Sequence, residues 1–155
     1  MDKVQMIREI DSAFLQHISD IRKSVRTTQE MTRDAPGRIE SRYDTSREET
    51  GWLATGQAAV LEELERSYAA FRSVGVGRKG FIQFGAYFEA ESIYGGYYVR
   101  CFVCPGCGGF ECETSEGLVT LISLDSPIAQ AALGCIEKDV FVVNRKVDYV
   151  VRKVA

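Results

Sequence analysis

Three groups of residues in this chain have the types and spacing to do chemistry. The first is acidic. Glu40 and Asp44 stand four residues apart, which on a helix puts both carboxylates on one face with Tyr43 beside them. Two close carboxylates repel each other and make a place for a hard cation such as Mg²⁺, which takes oxygen ligands. By spacing alone the same residues also read as an ordinary solvated turn between helices. The second group is a thiol cluster, Cys101-x2-Cys104-Pro105-Gly106-Cys107-x4-Cys112, with Cys135 apart from it. Such density in a cytoplasmic chain raises Zn²⁺ ahead of disulfides. A four-thiolate site, however, usually takes two C-x2-C pairs on separate knuckles, and here the pairs overlap at Cys104. Small packed or turn cysteines are the favoured reading, and no resident metal is expected.

The third group runs from Ile122 to Gly134, I-S-L-D-S-P-I-A-Q-A-A-L-G. A β-type run (Leu118, Val119, Leu121, Ile122) ends at Asp125 and Ser126, both good helix N-caps. Pro127 follows at the first helical position, where its missing N–H costs nothing, and Gly134 closes the short helix. Left to spacing alone, this is a well-capped connector. His17, the single histidine, stands beside an apolar stripe and reads as a packed or edge residue. It offers no base to the distant cysteines, so a nucleophilic thiol is not expected.

The elements that must position these groups differ on either side of Ser73. Val4, Ile7, Ile10 or Asp11, Phe14, Ile18, Ile21 and Val25 recur in steps of three and four, the mark of one helix face. Leu53, Val60, Leu64, Tyr68 and Phe71 form a second series, with Glu62, Glu63, Glu65 and Arg66 turned outward. Asp34-Ala35-Pro36-Gly37 between them is a turn signal. Two helices of roughly 30 residues would make an antiparallel hairpin about 45 Å long. Its tip would carry Glu40 to Gln57, and Arg22, Lys23, Arg26, Arg33, Arg38, Arg42 and Arg47 gather toward that end. These cations either flank a phosphate backbone or keep an exposed helix pair in solution.

From Val74 the period changes. Residues 74–80 hold three glycines and read as a joint. Strand-like runs follow at Phe81–Glu89, Tyr94–Val103, Gly117–Leu124, Val140–Asn144 and Val147–Val154, with Asn144-Arg145-Lys146 as a turn. The expectation is an α+β chain: a coiled-coil hairpin over 1–73, a linker over 74–80, and over 81–155 a mostly antiparallel sheet with one short helix. A formal charge of −3 argues against holding nucleic acid mainly through phosphate contacts. No signal peptide and no membrane-spanning run is read, so a cytoplasmic monomer is expected.

A long antiparallel coiled coil, a joint, and a small α+β domain carrying I-S-L-D-S-P-I-A-Q-A-A-L-G resemble the Gre family of bacterial transcription elongation factors, in a divergent branch. Glu137-Lys138-Asp139-Val140-Phe141-Val142-Val143 resembles the acidic turn and strand that follow the helix in that family. The resemblance implies an FKBP-like C-terminal domain that docks on the rim of the RNA polymerase secondary channel while the coil enters it. It also implies contact near the active site with the nascent RNA. Carried over by position, the docking element falls on Asp125, Ser126 and Pro127, with Ile128 behind them. The family's acidic tip motif, Asp-x-x-Glu, which helps to hold the polymerase's Mg²⁺, falls on Ser41-Arg42-Tyr43-Asp44. One acid is thus replaced by Ser41, with Glu40 one residue earlier. A hydroxyl is a weaker Mg²⁺ ligand than a carboxylate, so polymerase binding is expected ahead of stimulated RNA cleavage. The chain would not be an enzyme by itself. Two other classes stand beside this reading: an FKBP-like prolyl isomerase, testable by peptide isomerisation, and a zinc-binding interaction module built on the cysteines, testable by metal analysis.

Overall fold

The computed structural model describes residues 2–34, 42–106 and 108–155, and for 32–34, 42–50 and 54 the backbone only. Two helices come first, α1 (Lys3–Asp34) and α2 (Arg42–Arg72). Six strands and one short helix follow: β1 (Tyr87–Ser92), β2 (Tyr98–Val103), β3 (Glu111–Thr114), β4 (Gly117–Ile122), α3 (Pro127–Ala132), β5 (Val140–Val143) and β6 (Val147–Val154). The class is α+β, as the change of hydrophobic period implies. The chain forms two compact units, residues 14–66 and residues 1–13 with 67–155.

In the unit of residues 14–66 the helices run antiparallel, since Arg22 meets Glu65 and Ser24 meets Gln57. α1 buries Phe14, Ile18 and Val25 at heptad-like steps. On α2 the half-buried positions are Gln57, Leu61 and Leu64, whereas Leu53 and Val60 stay exposed. The apolar series read from α2 therefore combines two stripes, one in the helix seam and one beside it.

In the other unit the six strands form one sheet in the order β3-β4-β2-β1-β6-β5. The neighbouring pairs are antiparallel except β2 with β4, which is parallel, so the sheet is mixed rather than wholly antiparallel. The parallel pair arises because β3 intervenes between β2 and β4, letting β4 return alongside β2 in the same direction. β3 was not legible as a strand: Glu-Cys-Glu-Thr offers one apolar side chain, and it pairs as a sheet edge through the Ser115-Glu116 turn. Residues 81–85 form bends and turns instead of extending β1. The Asn144-Arg145 turn forms as read, with both residues left-handed (φ 52° and 55°), the geometry that joins twisted hairpin strands.

Alternation along the strands gives the sheet two faces. One packs Phe88, Ala90, Cys101, Val103, Ile122, Phe141 and Val151 against Ala129 and Ala132 of α3. The other carries Tyr87, Phe102, Val119 and Leu121, and Phe71 at the end of α2 meets Phe102 edge to face at 5.9 Å. The first turns of α1 bury Met6 and Ile10, while Val4 is exposed. The helix face is set there by Lys3, whose requirements are described below. Among the described residues no helix is long and apolar enough to cross a membrane.

Candidate functional site

The strand-to-helix joint after β4 is built from its residues as the sequence predicts. Ser126 N–H donates to Ser123 O at 3.1 Å, which turns the chain out of the strand. Ser126 has extended backbone (φ −67°, ψ 142°) and its hydroxyl oxygen accepts from Ala129 N–H at 3.2 Å. Its carbonyl accepts the first helical bond from Gln130 N–H at 3.0 Å. Ser126 is thus the N-cap, Pro127 fills the first helical position, and the cap contributes about 1 kcal/mol. The far end is equally fixed. Leu133 N–H bonds Ala129 O, Gly134 takes φ 83°, and its N–H reaches Ile82 O at 2.8 Å while Ile82 N–H reaches Cys135 O at 2.8 Å.

This anchoring decides which side chains face out. Ala129 and Ala132 are buried and Ile128 packs against the same core, leaving Asp125 and Pro127 exposed on the leading edge. The result is a rigid, outward-facing Asp125-Ser126-Pro127 turn with an apolar residue beneath it. The arrangement suits recognition, since its one charge and one ring are presented without local freedom to lose on binding. The acidic turn that follows is also ordered. Ile136 N–H donates to Asp139 Oδ2 at 2.9 Å, Lys138 is left-handed (φ 79°), and Glu137 Oε1 accepts from Val154 N–H at 3.2 Å.

The tip residues Glu40 and Ser41 lie outside the described residues. Asp44 falls in the first turn of α2, with its side chain also outside them. Of the cations expected near that end, Arg22 pairs with Glu65 at 2.6 Å and Lys23 lies 3.9 Å from Asp20. His17 is exposed on α1.

The cysteines divide across the sheet. Cys101 shares the α3 face with Val103, while Cys112 stands opposite Val119 on the other face. One ion cannot be ligated from both sides of a sheet, so these two thiols do not share a site. Both are buried, and burial pushes the Cys101 thiol up to about 12 and the Cys112 thiol up to about 11, with Glu113 and Glu9 adding to the latter. Cys107 lies outside the described residues; among those described, no group of three or more metal-ligating side chains converges.

Two buried polar clusters were not foreseen. On β1, Glu89 is 8% exposed and accepts from Tyr87 Oη (3.0 Å), Tyr98 Oη (2.8 Å) and Lys153 Nζ (3.1 Å). Burial acts to raise its pKa, but the bonds from Tyr98, Lys153 and Tyr87 outweigh it and hold the carboxyl below its usual range. Burial first, and then Glu89, push Tyr87 well above the ordinary phenol value. Lys153 also reaches Glu116 Oε2 at 3.4 Å. The second cluster centres on Lys3, only 4% exposed, whose ammonium donates to the carbonyls of Gly77 (2.8 Å), Gly85 (2.9 Å) and Ala155 (3.0 Å). Burial, and then the charge of Lys79, lower its pKa to about 8. Both clusters meet their own hydrogen-bonding needs, which makes them devices of the fold. A lysine spaced three residues before Met6 and a glutamate alternating with Phe88 and Ala90 were the available signals.

No protein-family model matches the chain, and no curated protein matches it. Among solved structures, the chain is similar to GreA factor homolog 1 (Gfh1) of Thermus thermophilus, at 17% identity over 94% of both chains and a TM-score of 0.39. It is likewise similar to a structure of the transcription factor Gfh1, at 18% identity over 93% of this chain and 92% of that one with a TM-score of 0.41. A third, Thermus aquaticus Gfh1, shares 15% identity over 92% of each chain, with a TM-score of 0.39.

Proposed function

We propose that this protein is a Gre-like regulator of transcription elongation that binds RNA polymerase through the Asp125-Ser126-Pro127 turn and inserts its helical hairpin into the secondary channel. The observation that carries the reading is the turn itself. The sequence resemblance runs through I-S-L-D-S-P-I-A-Q-A-A-L-G, and its residues stand capped, rigid and outward, with Ile128 beneath. The protein has no catalysis of its own in this reading. It acts on a reaction that belongs to the metal centre of the polymerase and lies near the nascent RNA. With Ser41 in the place of one tip acid, its main effect is to occupy the channel, and stimulation of RNA cleavage is weak.

Asp125→Lys tests the docking claim. The side chain is exposed and caps nothing, since Ser126 supplies the cap, so the fold should be unchanged. A charge reversal at a docking point acts on association, and binding to core polymerase should fall by at least tenfold. Undiminished binding by the folded variant refutes the assignment.

A further inference from the structure

The sheet has two edge strands, β3 and β5, and their sequences treat an approaching strand in opposite ways. Hydrogen-bond phase decides which residues face outward. On β3, Leu121 N–H bonds Phe110 O and the Cys112–Val119 pair follows in step, so Glu111 and Glu113 turn their main-chain groups away from β4. On β5, Val151 N–H bonds Asp139 O at 2.9 Å and the Phe141–Tyr149 pair follows, so Val140 and Val142 turn theirs away from β6. Among the described residues nothing bonds these outward N–H and C=O groups of Val140 and Val142.

Edges that must stay single are blunted by charge, proline or a bulge. β3 is blunted: both outward residues are exposed glutamates, and two such edges would set carboxylate against carboxylate. β5 has none of these devices. Its outward residues are valines, 56% and 48% exposed, on the sheet face away from α3, while Phe141 between them is buried toward α3. Left-handed Lys138 on one side and left-handed Asn144 and Arg145 on the other confine the edge to this stretch. The charges at its two ends differ in sign. Glu137, Lys138 and Asp139 precede it, whereas Arg145 and Lys146 follow it, exposed and without an ion-pair partner among the described residues.

We infer that β5 is a self-association edge: two copies of this chain pair antiparallel about a two-fold axis at Phe141, joining two sheets into one. In that register Val140 of each copy faces Val142 of the other as a hydrogen-bonded pair, and every outward group of both valines finds a partner. The exposed side chains of the same residues then meet valine to valine on the open face. The antiparallel direction brings the acidic end of one strand to the basic end of the other, whereas a parallel pairing sets like charge on like. A longer foreign strand finds no further groups to bond, because the turns at Lys138 and Asn144 end the ladder for it too. A pairing this short buries less than the ~1,200 Å² of a standard interface, so the dimer is weak and forms at high concentration. The monomer expected from the sequence is then its dilute form. The inference stands apart from the function proposed above and needs no polymerase to test.

The test is sedimentation equilibrium of the full chain under reducing conditions, from micromolar to millimolar, with NMR hydrogen exchange over the same range. A dimer should appear. The Val140 and Val142 amides, which exchange freely when dilute, should slow in step with the dimer fraction, while Phe141 stays protected throughout. Val142→Glu, which puts the β3 device on β5, should weaken association at least tenfold, and Arg145→Glu or added salt at least threefold. No dimer at millimolar concentration overturns the inference. So does a dimer that leaves both valine amides fast, because another surface then forms it. Open-ended assemblies in place of a dimer overturn the two-fold, with β5 adding onto a different edge. Should Val142→Glu fail to fold, the amide exchange of the parent protein decides alone.

Discussion

Replacing Lys3 with methionine keeps most of the side-chain volume and removes the ammonium, which isolates the energetics of the buried cation. Three carbonyls lose a donor. Ala155 O retains the bond from Tyr87 N–H, whereas Lys3 is the donor found for Gly77 O and Gly85 O. Orphaning the buried Gly85 carbonyl costs roughly 1–3 kcal/mol, while the part-buried carbonyl of exposed Gly77 can turn to water, and the variant gains some of this back because it no longer buries a charge. At pH 7.5 the net loss should be modest, about 1–3 kcal/mol. The pH dependence is the sharper prediction. The folded pKa of Lys3 is about 8 and the ordinary value 10.5, so between these the unfolded chain holds a proton that the folded chain gives up. Stability contributed by Lys3 therefore rises with pH across that window. From pH 7.5 to 9.5 the gain is about 2 kcal/mol. Buried Cys101 and Cys112 act in the opposite direction, because their raised pKa values let the unfolded thiols ionise first. Their effect is common to both proteins and cancels in the difference. Urea unfolding under reducing conditions, followed by tyrosine near-UV circular dichroism, should show the gap between parent and Lys3→Met widening by about 2 kcal/mol over that range. A gap that stays constant or narrows refutes the assignment of a desolvated cation at Lys3.

Four further outcomes are expected. Ser126→Ala should lower stability by about 1 kcal/mol in denaturant unfolding and weaken polymerase binding as the turn loosens, whereas Ser126→Asp, which can also cap, should retain both. Tyr98→Phe removes one donor to buried Glu89 and should lower stability by roughly 1–2 kcal/mol at pH 7, with a smaller loss at a pH low enough to protonate the carboxyl; an equal loss at both would show that the bond is not charge-assisted. Native thiol labelling should modify Cys135 before Cys101 and Cys112, which are buried and held protonated; rapid labelling of the latter pair would contradict their packing. At the tip, Ser41→Asp should create or raise cleavage of backtracked RNA by stalled polymerase and Asp44→Ala should remove what remains, while strong parental cleavage lost only with Glu40→Ala would place the acidic pair one residue earlier.

How much of this was legible follows the range of the forces involved. The helices, four of the strand segments and the Ser126 cap are set by local periodicity or by single-residue backbone preferences, and these show in sequence. β3 does not, because an edge strand with one buried residue needs no apolar pattern; β4 supplies its hydrogen bonds. The parallel β2–β4 pair is likewise a property of pairing, which no run of residues encodes alone. The α2 series illustrates a different loss. Leu53 and Val60 fit helical spacing as well as Leu64 does, yet only the last lies in the seam, since two stripes a fraction of a turn apart merge in a one-dimensional pattern.

The site divides along the same line. Asp125, Ser126 and Pro127 could be placed because capping is local and because the core beneath α3 forces the opposite side outward. Glu89 and Lys3 were missed for the converse reason, their spacing beside apolar residues being the one signal they left. A charged residue in an alternating strand or at a helix start ordinarily faces water, and here each is buried because partners distant in sequence converge on it: Tyr98 and Lys153 on Glu89, Gly77, Gly85 and Ala155 on Lys3. Such networks tolerate the loss of no single member cheaply, since a half-satisfied buried charge is worse than none. Lys3 joins the start of α1, the glycine joint and the C-terminal residue in one cluster. Its ammonium therefore ties residues 74–80 down through the bond to Gly77 O, and cutting the chain at Arg78 or Lys79 should be slower in the parent than in Lys3→Met. Equal rates of cleavage would show that the joint is held by something other than Lys3.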